Sequence, residues 1–231
     1  MISVCMPTYN GEKYIKEQLD SILCQLSQDD EVIISDDSST DRTIEIIKSY
    51  NDARIKLLED NHFKSPIYNL ENALKQAKGD YIFLADQDDV WYPNKVEKLL
   101  ARLADYDCVV SDATVVDSDM RELSSSLFTL NKSREGFFHN FIKNGFTGCC
   151  MAFNKKILNL ALPFPFNIPM HDSWIGLLAE KNGTVLFLDE PLIYYRRHGN
   201  NTSATAEKSK NSICKRIKYR LDLLRELEKR I

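Results

Sequence analysis

Short apolar runs alternate with amphipathic stretches along the first half of the chain. Ile2 to Met6 is an apolar run that stops at Pro7, and beyond Asn10-Gly11 the residues Ile15, Leu19, Ile22, Leu23 and Leu26 recur at helical spacing. This pattern predicts strand, loop, helix. Glu31 to Ser35 predicts a second strand, and Thr40 can cap a following helix whose inner face is Ile44, Ile47 and Tyr50. The alternation continues with a strand at Ile55 to Leu58, a helix from about Pro66 to Lys78, a strand at Tyr81 to Leu84 and a helix from Pro93 to about Ala104. Pro93 suits a first helical turn, and Cys108 to Ser111 is a further strand. Strands alternating with helices of about a dozen residues imply an α/β fold, a mostly parallel sheet with helices on both faces.

Regularity fades after about Asp112. The stretch from Ser118 to Gly136 is polar and serine-rich and predicts a mobile loop over a site. Gly145 to Lys155 then reads as a turn and a strand, Asp172 to Lys181 as a helix, and Thr184 to Leu188 as a strand. Pro191 to Arg197 reads as extended chain leading into His198-Gly199-Asn200-Asn201. From Lys208 onward nine Lys or Arg face three Asp or Glu, and Ile213, Ile217, Leu221, Leu224 and Leu227 form an apolar stripe. The expected division is a domain over 1–204, with halves of about 1–112 and 113–204, and a basic amphipathic C-terminal helix over 205–231. That helix either packs its stripe on the domain or a second subunit, or lays its basic face on an anionic bilayer. The chain ends within it, as a truncated chain would.

Composition narrows the function classes. With 231 residues, 43% hydrophobic and 28% charged, the chain can build one sizeable core. A formal charge of −4 argues against a nucleic-acid partner. Cys5, Cys24, Cys108, Cys149 and Cys150 all fall in apolar segments, which predicts reduced, buried thiols, and no Cys/His spacing suggests zinc. The amino terminus lacks a charged, then long apolar, leader, and no run approaches a membrane span, so the expected location is the cytoplasm.

The candidate chemistry is acidic. Asp86-Gln87-Asp88-Asp89 follows the apolar run Tyr81 to Leu84, and like charges at one sheet edge repel unless a cation neutralises them. A second acidic turn, Ser35 to Asp41, ends another strand, so both clusters are expected at the carboxyl edge where α/β sheets bind ligands. Phosphate-binding and dinucleotide glycine loops and a nucleophilic serine elbow are missing. Asp86-x-Asp88 also resembles the nucleophile motif of haloacid-dehalogenase-like phosphatases, although that motif usually ends the first strand.

Read in order, four motifs resemble glycosyltransferase family 2. They are Pro7-Thr8-Tyr9-Asn10-Gly11, Asp36-Asp37-Ser38-Ser39-Thr40-Asp41, Gly79-Asp80 leading into Asp86-Gln87-Asp88-Asp89, and His171-Asp172-Ser173-Trp174. The Asp-Gln-Asp-Asp-Val-Trp and Tyr-Arg-Arg-His-Gly-Asn-Asn forms are similar to the rhamnosyltransferase-like branch that builds bacterial surface polysaccharides such as O-antigen or capsule. The resemblance implies the GT-A fold, a nucleotide-binding first half, an acceptor-binding second half, and inverting transfer from a UDP- or dTDP-sugar to a lipid-linked saccharide acceptor. A catalytically silent sugar-nucleotide or glycan-binding module of the same fold is the rival reading.

The resemblance also implies roles. Asp88 binds Mn²⁺ or Mg²⁺ directly, Asp86 faces the ribose or the metal, and His198 either completes the metal site or is structural. Asp89 is either functional or a cap on the next helix. Pro7, Thr8 and Asn10 line the base pocket, Asp36 or Asp37 approaches base or ribose, and Glu12 closes that region; Thr40 and Asp41 cap and begin a helix. Asp172 is the candidate general base, with His171 standing where a Glu is commoner. Trp174 either forms an acceptor wall or packs its helix. Arg196 or Arg197 pairs with the diphosphate while the other covers surface. A homo-oligomer is compatible with all of this.

Overall fold

Six of the seven residues of strand β1 (Ile2–Thr8) are buried, the signature of a strand covered on both faces. The structure, a computed structural model, describes residues 1–166, 168–198 and 213–230, the last segment with side chains from Arg220 on. Strands β2 (Glu31–Asp36) and β4 (Tyr81–Leu84) flank β1 in parallel, and β3 (Ile55–Leu58) lies parallel beyond β2. The connecting helices are α1 (Ile15–Leu23), α2 (Thr43–Ser49) and α3 (Pro66–Leu74). Ile15, Leu19, Ile22 and Leu23 of α1 are buried, so the spacing that predicts this helix is also its core face.

Beyond β4 the sheet becomes mixed. Its order is β3-β2-β1-β4-β8-β6-β9-β5, with β7 pairing off this path to β6. Strand β8 (Met151–Asn154) is antiparallel to both β4 and β6 (Cys108–Val116), β9 (Val185–Arg196) is parallel to β6, and the two-residue β5 (Val90–Trp91) is antiparallel to β9. The single strand β9 joins what reads as two segments, and Pro191 is accommodated because it sits opposite Asp112 where the register shifts.

Several local expectations are corrected. Helix α4 (Lys95–Leu103) begins after Pro93, which therefore lies outside its first turn. Thr40 caps nothing; α2 opens at Thr43, whose backbone N–H donates to Asp41 Oδ1 at 3.0 Å, so the aspartate takes that role. The 118–136 segment is built, not a bare loop: it holds β7 (Glu122–Ser124) and α5 (Leu127–Asn131). Buried Asp112 anchors it by accepting from Ser126 Oγ (2.6 Å) and Phe128 N (2.9 Å). Cys24 is exposed, whereas Cys5, Cys108, Cys149 and Cys150 are buried and unbridged as expected.

The remaining helices are α6 (Phe137–Ile142), α7 (Lys155–Ala161), α8 (His171–Asn182) and α9 (Ile213–Glu228). In α9, Leu223 and Leu227 are buried and Arg230, just beyond it, donates to the Leu162 carbonyl at 2.8 Å, so the helix packs on the domain. Leu221 is half exposed, and the buried face is thus offset from the stripe read in the sequence. The side chains of Ile213 and Ile217, and Gly199, Asn200 and Asn201, lie outside the described residues.

Candidate active site

Parallel pairing brings the ends of β1, β2 and β4 to one edge, with Thr8 opposite Asp36. Gln87 then locks the first loop to the acidic turn by accepting from Tyr9 N (2.9 Å) and donating to Tyr9 O (3.0 Å). Gly11 packs against this side chain: a Cβ there would meet Gln87 Oε1 at 2.4 Å, so the amide would have to shift.

The acidic turn does not behave as three equivalent carboxylates. Asp86 is half-buried, and its carboxyl is pushed up to about 7 by burial and by the neighbouring Asp88, with the Cys149 thiol and Lys95 pulling the other way. Asp89 is buried and its pKa rises well above the usual carboxylate range, mainly from burial. It caps no helix: Oδ1 accepts the Arg196 N–H at 3.0 Å, and the buried Oδ2 has no partner among the described residues. Asp86, Asp89 and Cys149 bring one ligand atom each within 4.8 Å of one another. Asp88 instead meets His198 Nε2 at 2.7 Å, so the expected Asp86, Asp88 and His198 fall into two adjoining groups.

The β5–β9 pairing explains how residues 110 positions apart meet. It aligns Val90 with Tyr194 and carries the end of β9 past the acidic turn. There the His198 ring stacks on Tyr14 with centroids 5.0 Å apart. Arg196 turns inward: it is 3% exposed, donates to the Asp88 carbonyl (2.8 Å), pairs with Glu17 (2.5 Å) and lies over the Tyr14 ring. It braces the turn from within. Arg197 is half-buried, with its backbone N–H on the Val116 carbonyl.

At the ends of β1 and β2, Thr8 and Asp36 are buried and Thr8 Oγ1 donates to Asp36 at 2.7 Å, while Asp36 further accepts from Ser39 N and Oγ, so the pair holds two strand ends together. Asp37 is half-buried and organises the facing loop through Phe63 N (2.6 Å) and Ser65 N (3.3 Å). Asn10, at φ 48°, takes Thr40 N on Oδ1 at 2.8 Å, while Glu12 takes Arg42 N at 3.0 Å. Pro7 is half-buried at the end of β1. Tyr9, quoted in the motif but given no role from sequence, is 57% exposed at this edge; an aromatic in a strand-end loop was the available signal.

Asp172 opens α8 from the other side. Its carboxyl is pushed up to about 6 by burial, although Ser173 N (2.5 Å) and Asn144 Nδ2 (3.2 Å) both donate to Oδ1. Asp172 in turn raises the Asp86 carboxyl, which places the two in one electrostatic neighbourhood. His171 is buried and pushed down to about 4, so its ring is neutral, and Nδ1 has no partner among the described residues. Gly148 packs against this ring; a Cβ there would meet Nε2 at 2.7 Å. Of its two readings, Trp174 takes the packing one: it is fully buried and its Nε1 donates to the Ala161 carbonyl at 2.9 Å.

A residue sequence reasoning missed joins the two sides. Lys95 is fully buried, its Nζ donates to the Cys149 carbonyl at 2.6 Å, and it lies 4.5 Å from the Trp91 ring centroid. Its charge opposes those of Asp86 and Asp89. A lysine in an amphipathic helix carries no sequence mark of this, because its neighbours come from β5 and from the 3-10 turn Gly148–Cys150.

The donor set suits a hard cation. Carboxylate oxygens such as those of Asp86 and Asp88 are the right ligand type, whereas the buried Cys149 thiol, held protonated, is not.

Comparison with known proteins agrees with this geometry. The chain is 31% identical over 216 residues to the dTDP-rhamnosyl transferase RfbG of Shigella flexneri, covering 85% of this chain and 72% of that protein. It is 30% identical over 216 residues to the teichuronic acid biosynthesis glycosyltransferase TuaG, named as putative, of Bacillus subtilis, covering 90% and 84%. The UDP-Glc:alpha-D-GlcNAc-diphosphoundecaprenol beta-1,3-glucosyltransferase WfgD of Escherichia coli is 28% identical over 193 residues, covering 79% and 71%. Among solved structures, S. aureus TarS 1-349 with UDP superposes with a TM-score of 0.68 at 25% identity, covering 85% of this chain and 60% of that one. The mannosyltransferase PcManGT of Pyrobaculum calidifontis with GDP-Man and Mn2+ has the same fold, with a TM-score of 0.62 at 20% identity over 88% of this chain and 58% of its own. The chain thus spans about 60% of those solved structures. A phosphatase of the haloacid-dehalogenase type is displaced as a reading, because the acidic turn ends β4 and the description of Glycosyl transferase family 2 matches residues 3–160. The chain belongs to glycosyltransferase family 2 and is a glycosyltransferase.

Proposed function

We propose that the chain moves a sugar, with inversion, from a UDP- or dTDP-linked donor to a lipid-linked saccharide acceptor in bacterial surface polysaccharide assembly. The observation that carries this reading is the position of Asp172, a buried carboxyl in the first turn of α8, raised to about 6 and in the electrostatic neighbourhood of Asp86. A base of that pKa is ionised at neutral pH yet basic enough to take a hydroxyl proton.

In the proposed reaction Asp172 accepts the proton of the acceptor hydroxyl as its oxygen bonds to the anomeric carbon and the bond to the diphosphate breaks. With one carboxylate acting as the base, the reaction is a single displacement that inverts the centre. Asp88, with Asp86 and His198, would hold Mn²⁺ or Mg²⁺, which when bound supplies positive charge to the departing diphosphate. Asp37, Asn10, Pro7 and Glu12 would frame the base and ribose, the exposed Tyr9 ring would stack on the base, and Arg197 would reach the diphosphate. His171, neutral and buried, would set the shape of the acceptor side.

The names of the relatives support donor and acceptor classes without selecting among them: a dTDP-rhamnosyl transferase, and a UDP-glucose enzyme acting on a diphosphoundecaprenol acceptor. Such an acceptor would place the enzyme at the cytoplasmic membrane face, with the basic side of α9 toward lipid; no helix among the described residues is long and apolar enough to cross a membrane. Thermal shift of the purified protein with UDP and dTDP, with and without Mn²⁺, tests the donor half. A metal-dependent shift with either nucleotide, weakened in Tyr9→Ala, is expected; no shift with any nucleoside diphosphate would contradict the proposal.

A further inference from the structure

Helix α6 turns its apolar residues two ways. Phe137 and Phe141 are half-buried and stacked with centroids 6.1 Å apart, whereas Phe138 and Ile142, one turn apart, are 80% and 64% exposed. Leu130 of α5 is 42% exposed, and Lys143 Nζ donates to the Asn131 carbonyl at 2.6 Å, which ties α5 to the end of α6. A phenylalanine and an isoleucine held outward on a folded helix lose apolar contact that no neighbour among the described residues supplies.

The charge around this face is one-sided. Residues 127–144 contain Lys132, Arg134 and Lys143 against Glu135 alone. All three cations are exposed, while Glu180 lies on the inner side of α6, its Oε1 accepting from Gly136 N and buried Asn140 Nδ2. Arg220 of α9 also donates to the Ile142 carbonyl, which brings the basic terminal helix to the same corner. A second copy would set these like charges against one another across a two-fold contact, whereas an anionic surface would neutralise them. The position is also informative: two residues beyond α6, Asn144 Nδ2 donates to Asp172 Oδ1 at 3.2 Å.

We propose that α6 docks on an anionic lipid bilayer, with Phe138 and Ile142 entering the headgroup boundary and Lys132, Arg134 and Lys143 engaging lipid phosphates. This deepens the lipid-linked acceptor reading and rests on it, since docking here holds Asp172 at the surface where such an acceptor lies. The arrangement is that of an interfacial wedge.

The test is co-sedimentation of the full chain with vesicles of phosphatidylcholine, alone or with about 30% phosphatidylglycerol. The wild type should bind the anionic vesicles and be released by high salt. The F138S/I142S variant should lose about tenfold or more of that binding, and so should K132Q/R134Q/K143Q. Both should keep the nucleotide-induced thermal shift of the wild type, which shows that they fold. Unchanged partition in both variants would overturn the proposal. So would a wild type that ignores vesicles but forms a dimer, by light scattering, that F138S/I142S dissolves. Vesicle binding that depends on Phe138 and Ile142 in a protein that shifts with no nucleotide would instead uphold α6 docking and sink the donor proposal.

Discussion

Asp172→Asn should make the protein more stable and less active at once. The carboxyl sits 9% exposed and is pushed from 3.8 up to about 6. A rise of that size means that ionising Asp172 costs the folded state about 3 kcal/mol. The sign follows from the raised value: the folded state holds the proton more tightly, so stability is undiminished below about pH 4 and is lost as pH rises through about 6. Asparagine keeps an oxygen for Ser173 N and Asn144 Nδ2 and never ionises. At pH 8 the variant should therefore exceed the wild type by up to about 3 kcal/mol in urea melts of the metal-free protein, and at pH 4 the two should converge. Turnover should fall by roughly 10²- to 10⁴-fold with donor affinity nearly unchanged. A variant that is destabilised at both pH values, or that loses nucleotide affinity while keeping turnover, would refute the assignment of Asp172 as a buried base.

Other expectations follow from the same geometry. The acid limb of kcat/KM in the wild type should fall below about pH 6 as Asp172 takes up its proton, and a limb that stays flat to pH 5 would contradict it. Asp88→Ala should fold normally but lose metal-dependent nucleotide binding, read by calorimetry with and without EDTA; full activity in EDTA would remove the metal from the account. Lys95→Met should cost about 3 kcal/mol in a urea melt, because Asp86 and Asp89 lose their buried counter-charge, and a neutral outcome would show the acids to be protonated without it.

The parts of this molecule that could be read from sequence are those whose cause is local. Strands β1, β2 and β4 announce themselves because burial on both faces demands unbroken apolar runs, and the acidic turn of Asp86, Asp88 and Asp89 stands out because it follows such a run directly. What could not be read depends on distant partners. The two-residue β5 exists only because β9 pairs with it, yet that pairing delivers Arg196 and His198 to Asp88 and Asp89. The same holds for β8, a short run that gives no sign of entering antiparallel between β4 and β6. Thr8, Asp36 and Arg196 sit in motif positions but turn inward, since strand ends and a tight acidic turn need their own hydrogen bonds met before any ligand arrives. Lys95 was invisible for the converse reason: a surface-type residue is drawn inside by two acids and an indole that the fold assembles around it.

Single displacement by Asp172 is most directly tested by following slow donor hydrolysis in real time by proton NMR, with UDP-glucose and dTDP-rhamnose as donors and Mn²⁺ present. The first sugar released should carry the anomeric configuration opposite to that of its donor, before mutarotation, and should not form with Asp172→Asn. A first product that retains the donor configuration would contradict the account.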